Sequence, residues 1–179
     1  MSRRFVIIDA VVSVLIIFAA YFFFSVKQGG FFYIDSESME PTLQPGDRLV
    51  LVKAGSLERG QIVVFRHESR KVEFYVKRLV GLPGDQVAVR GGRLYLNGQA
   101  QEEPYLKERR IVYNYGPIQV PEAEYFVLGD NRNNSEDSSV FGCVPAGDIR
   151  GRVLGIYWPW HRRLRLALSG SAAVIAASA

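Results

Sequence analysis

Beyond Asp47 the apolar residues never settle into a helical period; they come in short alternating runs cut by Gly, Pro, Asn and Asp. The runs at 48–52, 61–66, 72–80, 86–90, 93–96, 125–128 and 151–157 are rich in Val, Ile, Leu, Phe and Tyr, which suit a pleated, half-buried surface. Gly91-Gly92 lies between two of them and signals a tight hairpin, and Asn97-Gly98 marks another turn. Such a chain cannot build a helical bundle, and the pattern predicts a mainly β domain. The segment 99–116, charged at first, is the weakest in pattern and reads as a surface excursion.

Ahead of this domain lies the one long apolar run, 5–26, interrupted only by Asp9 and two serines. As a helix rising ~1.5 Å per residue it matches the thickness of a bilayer's hydrocarbon core. Arg3 and Arg4 precede it and only Lys27 follows closely, so the positive-inside rule puts the N-terminus in the cytoplasm and the rest outside. A cleavable secretory signal fits less well, because the run ends in Tyr21-Phe22-Phe23-Phe24 without small residues at a cut. The expected organisation is a cytoplasmic N-terminus and transmembrane anchor over 1–28, an extracytoplasmic β domain over 29–160, and a basic then Ala-rich tail over 161–179.

With 179 residues, 48% of them hydrophobic, one domain with a real core remains after the anchor is subtracted. The net charge of +4 is spread along the chain without a long basic block, which argues against nucleic acid as partner. Cys143 is the single cysteine, and His67 and His161 are the only histidines, with no CxxC or HExxH, so neither an internal disulfide nor a metal site is expected. No cofactor is implied.

Three stretches carry chemistry. Ser36-Glu37-Ser38-Met39-Glu40-Pro41-Thr42-Leu43-Gln44-Pro45-Gly46-Asp47 cannot be helix interior and reads as an extended segment entering a turn, which holds a hydroxyl still. Seen alone, it reads as a surface turn with local Ser and Thr hydrogen bonds. In Tyr75-Val76-Lys77-Arg78-Leu79-Val80, period-two alternation puts Lys77 on the apolar face of Tyr75 and Leu79. An isolated strand lysine ordinarily snorkels to solvent or pairs with a carboxylate. A desolvated one loses its proton nearer neutrality and can then take a proton from a hydroxyl. Gly129-Asp130-Asn131-Arg132-Asn133-Asn134-Ser135-Glu136-Asp137-Ser138-Ser139 is a dense polar loop, either simply solvated or a rigid frame of backbone turns.

In that order, behind one anchor, the three stretches resemble the bacterial type I signal peptidase (leader peptidase) family, from the anchor to about Pro145. The resemblance implies an antiparallel coiled-sheet catalytic domain behind one N-terminal transmembrane helix. It implies Ser38 as nucleophile, Lys77 as general base, and Ser36 as a side-chain donor to the oxyanion beside the Ser38 N–H. Ser135 would position the lysine amine, and Asp137 and Arg132 would be frame residues. The implied partners are secretory precursors with small residues at the first and third positions before the cut, and the lipid bilayer at the cell membrane. Where the family commonly has D-S-R, this chain has Asp137-Ser138-Ser139, and Asn133 stands where an Asp is common. Asp137 thus lacks its usual arginine, for which Arg132 or Arg150 could substitute.

Two histidines in unremarkable contexts make a Ser-His-Asp triad hard to assemble, whereas a Ser/Lys pair needs none. Two alternatives follow from the same residues: a self-cleaving repressor, poorly matched by a membrane anchor, and a membrane-tethered β module with a degenerate, non-catalytic site. Trp158 and Trp160 suit a headgroup zone or a core equally. The C-terminal stretch 161–179, basic and then ending Ala177-Ser178-Ala179, reads either as an interfacial tail or as a mimic of a cleaved signal that occupies the site.

Overall fold

The computed structural model describes residues 8, 11–21, 30–67, 74–108 and 110–162. Of the apolar run, residues 8 and 11–21 are helical with exposed apolar side chains; its remainder lies outside the described residues, as does the tail beyond Arg162, which was expected either to rest on the membrane or to mimic a cleaved signal. Among the described residues no helix is long and apolar enough to cross a membrane.

The strands in chain order are β1 (Gly30–Tyr33), β2 (Arg48–Val52), β3 (Ile62–Phe65), β4 (Tyr75–Gly81), β5 (Gln86–Arg90), β6 (Arg93–Leu96), β7 (Gln99–Ala100), β8 (Tyr115–Gln119), β9 (Glu124–Leu128), β10 (Val144–Pro145) and β11 (Ile149–Trp158). They form a seven-stranded sheet, β1-β2-β11-β3-β4-β9-β10, and a four-stranded sheet, β7-β6-β5-β8. Every pairing is antiparallel. Register shifts along β11 and between Leu79 and Gly81 mark bulges, which sharpen the twist and coil the larger sheet.

β2, β5 and β6 run as the alternation predicts, and β11 extends further at both ends. Four strands were not visible in the pattern: β1, β7, β8 and β10. β8 contains Gly116 and Pro117, and it survives because it is an edge strand, where a missing N–H costs little.

β3 is buried at all four positions, and its period of two splits them between cores. Ile62 and Val64 join Met39, Leu43, Leu49 and Leu51 in one cluster, while Val63 and Phe65 join Tyr75, Leu79 and Val127 in another. A third cluster, with Val87, Val89, Leu94, Leu96 and Phe126, underlies the smaller sheet. β4 lies between β3 and β9 in the interior of the larger sheet, so a side chain on it is far from water unless a cleft reaches it.

Candidate functional site

The serine stretch is a loop closed at its base. Ile34 N–H donates to Asp47 O at 2.9 Å, and Gly46 N–H donates to Ile34 O at 2.8 Å. Gly46 has φ +96°, a conformation that would strain any residue with a Cβ. Within the loop Glu40 N–H reaches Glu37 O and Leu43 N–H reaches Met39 O, while Met39 and Leu43 sink into the first core. Arg162 adds an outside brace, donating from Nε to Asp47 Oδ1 at 2.9 Å. Ser38 is therefore held on a pinned turn and is only 7% exposed.

Lys77 projects from β4 in register with Val63 and is 4% exposed. Its Nζ donates to Ser38 Oγ at 2.6 Å. Burial lowers its pKa from 10.5 to about 8, opposed in part by the negative charges of Asp137, Glu136 and Asp130.

The polar loop after β9 locks onto both. Asp130 accepts Arg78 Nε at 2.8 Å, Arg78 Nη2 at 2.6 Å and the Thr42 hydroxyl at 2.5 Å, tying the strand of the lysine to the loop of the serine. Asn131 N–H donates to Ser38 O at 3.0 Å and Asn131 Nδ2 donates to Glu37 O at 3.0 Å. Gly129 permits this approach: a Cβ there would lie 2.6 Å from Ser38 O and 2.2 Å from Ser135 Oγ.

Ser36 is exposed, and its Oγ accepts the Ser38 N–H at 3.3 Å. Ser135 lines the same cleft as Lys77, but its hydroxyl donates to Asp137 Oδ2 at 2.7 Å. Asp137 is fully buried, and neither Arg132 nor Arg150 replaces the missing arginine. Its carboxylate accepts instead from Ser135 Oγ, from Gly129 N–H at 2.9 Å, and from Ser139 N–H and Oγ at 3.1 and 2.8 Å. The Ser139 N–H is freed for this by the start of the short helix Ser138–Phe141, which Asp137 caps. Arg132 pairs with Glu103 and donates from Nε to Gly129 O at 2.8 Å. Sequence reasoning missed Thr42, Asn131 and Glu103 as site residues. The first two sit inside the quoted stretches, whereas Glu103 lies in the excursion that was read as surface.

A cleft of about 920 Å³ opens over Ser38 and Lys77, walled by Phe32, Ile34, Met39, Phe74 and Val76 on its apolar side and by Ser36, Asn133 and Ser135 on its polar side. Among the described residues no three His, Cys, Asp or Glu side chains gather to hold a metal. The arrangement offers a buried hydroxyl, an amine whose proton is loosened, and an open cleft with one apolar side.

The sequence profile of the signal peptidase, peptidase S26, family matches residues 5–158. The chain belongs to that family. It is 46% identical over 139 residues to a probable signal peptidase I-2 of Synechocystis sp., covering 73% of this chain and 63% of that protein. It is 44% identical over 142 residues to a signal peptidase I of Leptolyngbya laminosa, covering 73% of this chain and 69% of that one. A crystal structure of a signal peptidase I from Enterococcus faecalis V583 aligns with TM-score 0.49 and 33% identity, over 56% of this chain and 98% of that one. All three chemistry-bearing stretches fall inside the matched family segment, and Arg162, which braces the serine loop, falls just outside it.

Proposed function

We propose that this protein is a membrane-bound serine endopeptidase that removes signal peptides from exported precursor proteins, with Ser38 as nucleophile and Lys77 as general base. The observation that carries the reading is the 2.6 Å contact between Lys77 Nζ and Ser38 Oγ in a buried setting that lowers the lysine pKa to about 8. At pH 7 roughly a tenth of such a lysine is neutral, against less than about a thousandth of an unperturbed one. The neutral amine takes the Ser38 proton as Oγ attacks the scissile carbonyl, and the charge on the carbonyl oxygen falls to the Ser38 N–H and the Ser36 hydroxyl. The Lys77 ammonium then gives its proton to the departing amine, leaving an acyl-enzyme. Deacylation repeats the sequence with water, Lys77 taking the water's proton and returning it to Ser38 Oγ.

Supporting the substrate class, the cleft runs between the end of β1, an edge strand, and the start of β4, so an extended precursor segment can lie along it. Small side chains at the first and third positions before the cut are the specificity that goes with this reading. Phe31, Tyr33 and Trp158 are exposed on neighbouring parts of the sheet, with Trp160 exposed just after it, which favours a lipid surface beside the cleft over a nucleic-acid partner. With the 5–26 run as a single anchor and its N-terminus cytoplasmic, the site faces outward at the cell membrane, where a precursor's cleavage segment emerges.

Full-length protein in detergent micelles, incubated with a secretory precursor, tests the assignment. Ser38→Ala and Lys77→Arg are each expected to give no cut product with the fold retained, since a guanidinium stays protonated. Substantial cleavage by either variant removes the dyad.

A further inference from the structure

Resting on that reading of the site, we propose that residues 103–107 form a clasp that positions the catalytic groups, with Glu103 as its essential member. The segment touches all three chemistry-bearing stretches. Glu103 takes Arg132 in a two-pronged ion pair, both side chains sealed from solvent at 5% and 0% exposure. Tyr105 donates its hydroxyl to Glu103 Oε1 at 2.8 Å and lays its ring 3.9 Å from the Arg78 guanidinium carbon. Lys107 N–H donates to Asp130 O at 3.2 Å, and its ammonium meets Glu40 Oε2 at 2.7 Å, an exposed bridge that adds little.

The two arginines held by Glu103 and Tyr105 are those that set the dyad's surroundings. Arg78 follows Lys77 directly and fixes Asp130, which in turn fixes Thr42. Arg132 follows Asn131, whose N–H and amide hold the carbonyls of Ser38 and Glu37. Without Glu103 the buried guanidinium of Arg132 keeps a single hydrogen bond, to Gly129 O, and a buried charge so poorly paired moves toward water. Since Asp130, Asn131 and Arg132 are consecutive, that movement drags both the Ser38 carbonyl contact and the Asp130 anchor. A displacement of ~1 Å at a reacting group costs on the order of 100-fold in rate. None of residues 103–107 lines the cleft, so the clasp reaches substrate only through the loop it holds and the loss falls chiefly on turnover.

Glu103→Gln in the full-length protein, assayed on a secretory precursor, is expected to lower kcat about 10- to 100-fold with KM within about twofold. Glu103→Asp should recover part of the loss by restoring the charge. Tyr105→Ala should lower kcat likewise, whereas Tyr105→Phe, which keeps the ring over Arg78, should cost only a few-fold. Turnover is expressed per folded molecule, measured by circular dichroism and gel filtration. If Glu103→Gln does not fold, the pair Glu103→Gln with Arg132→Met removes both buried charges; it is expected to fold and still turn over slowly. Parent-level kcat in the folded Glu103→Gln protein, in that double variant, or in Tyr105→Ala overturns the clasp. Ser38→Ala run alongside separates the two ideas: residual cleavage there sinks the dyad itself, while a dead Ser38→Ala beside a parent-like Glu103→Gln sinks the clasp alone.

Discussion

A lysine whose proton is loosened by burial should cost the protein stability, and Lys77→Met exposes that cost. The folded pKa of Lys77 is about 8 against an unfolded value of 10.5, so near neutral pH the folded state must carry a buried ammonium that the unfolded chain carries in water. Each pKa unit is worth ~1.36 kcal/mol, which puts the full penalty at about 3 kcal/mol. A depressed lysine binds fewer protons folded than unfolded between the two pKa values, so stability rises with pH across that window and is flat on either side of it. Methionine fills similar space without charge, at the loss of one hydrogen bond worth about 1 kcal/mol. The Met variant should therefore be the more stable protein near pH 7, by about 2 kcal/mol, and lose that advantage as pH rises. Between about pH 7 and pH 10 the parent should gain about 2 to 3 kcal/mol on the variant. Urea unfolding of both proteins in the same micelles, followed by circular dichroism at several pH values, measures the difference. Titration of other groups, including buried Tyr105, whose phenol burial pushes up, is common to both proteins and cancels. A difference that stays level across the window refutes a displaced Lys77.

Two further outcomes follow from the same geometry. With a short peptide substrate, kcat/KM should rise about tenfold per pH unit at low pH and level off above the lysine pKa of about 8; a profile flat across neutrality, or one that falls with pH, would count against Lys77 as base. Gly129→Ala puts a methyl 2.2 Å from Ser135 Oγ and 2.6 Å from Ser38 O, so the loop must part from the serine turn. Activity should drop by on the order of 100-fold even where the domain stays folded, and near-normal turnover would mean the contact between Asn131 and Ser38 is dispensable.

The core of the site was readable because each part is written locally. Pro41, Pro45 and Gly46 enforce the turn that carries Ser38, and alternation in β4 gives the face on which Lys77 lies. β1 was hidden because Gly30–Tyr33 is four residues long and its Phe31, Phe32 and Tyr33 are all aromatic, so the alternation in its exposure is not written as an alternation of residue type. Ser139 at the usual arginine position was read as a loss of support for Asp137. The support is backbone and hydroxyl donors drawn from the residues next to it, a capping pattern that composition does not flag. Glu103 was the hardest case. In a charged excursion a glutamate with a buried partner 29 residues away looks the same as one in water, and only the tertiary fold distinguishes them.

The buried charges around the cleft are sorted in a way that bears on how a lysine can serve as a base at all. Arg78 is neutralised by Asp130 and Arg132 by Glu103, each through two contacts, so neither arginine presses a positive field on Lys77 unopposed. Asp137 alone is satisfied by neutral donors, and its full negative charge stands as the largest influence that raises the Lys77 pKa against burial. Desolvation by itself would keep the amine neutral but would also oppose the ammonium that forms when it takes the Ser38 proton. A carboxylate alone would keep it protonated and inert. Set against each other, they leave a lysine that releases its proton easily and tolerates regaining it, as the proposed base would have to do twice in one turnover. An arginine at position 139, paired to Asp137, would weaken the second of these influences; with Ser139 there, the chain keeps the carboxylate's charge directed at the amine.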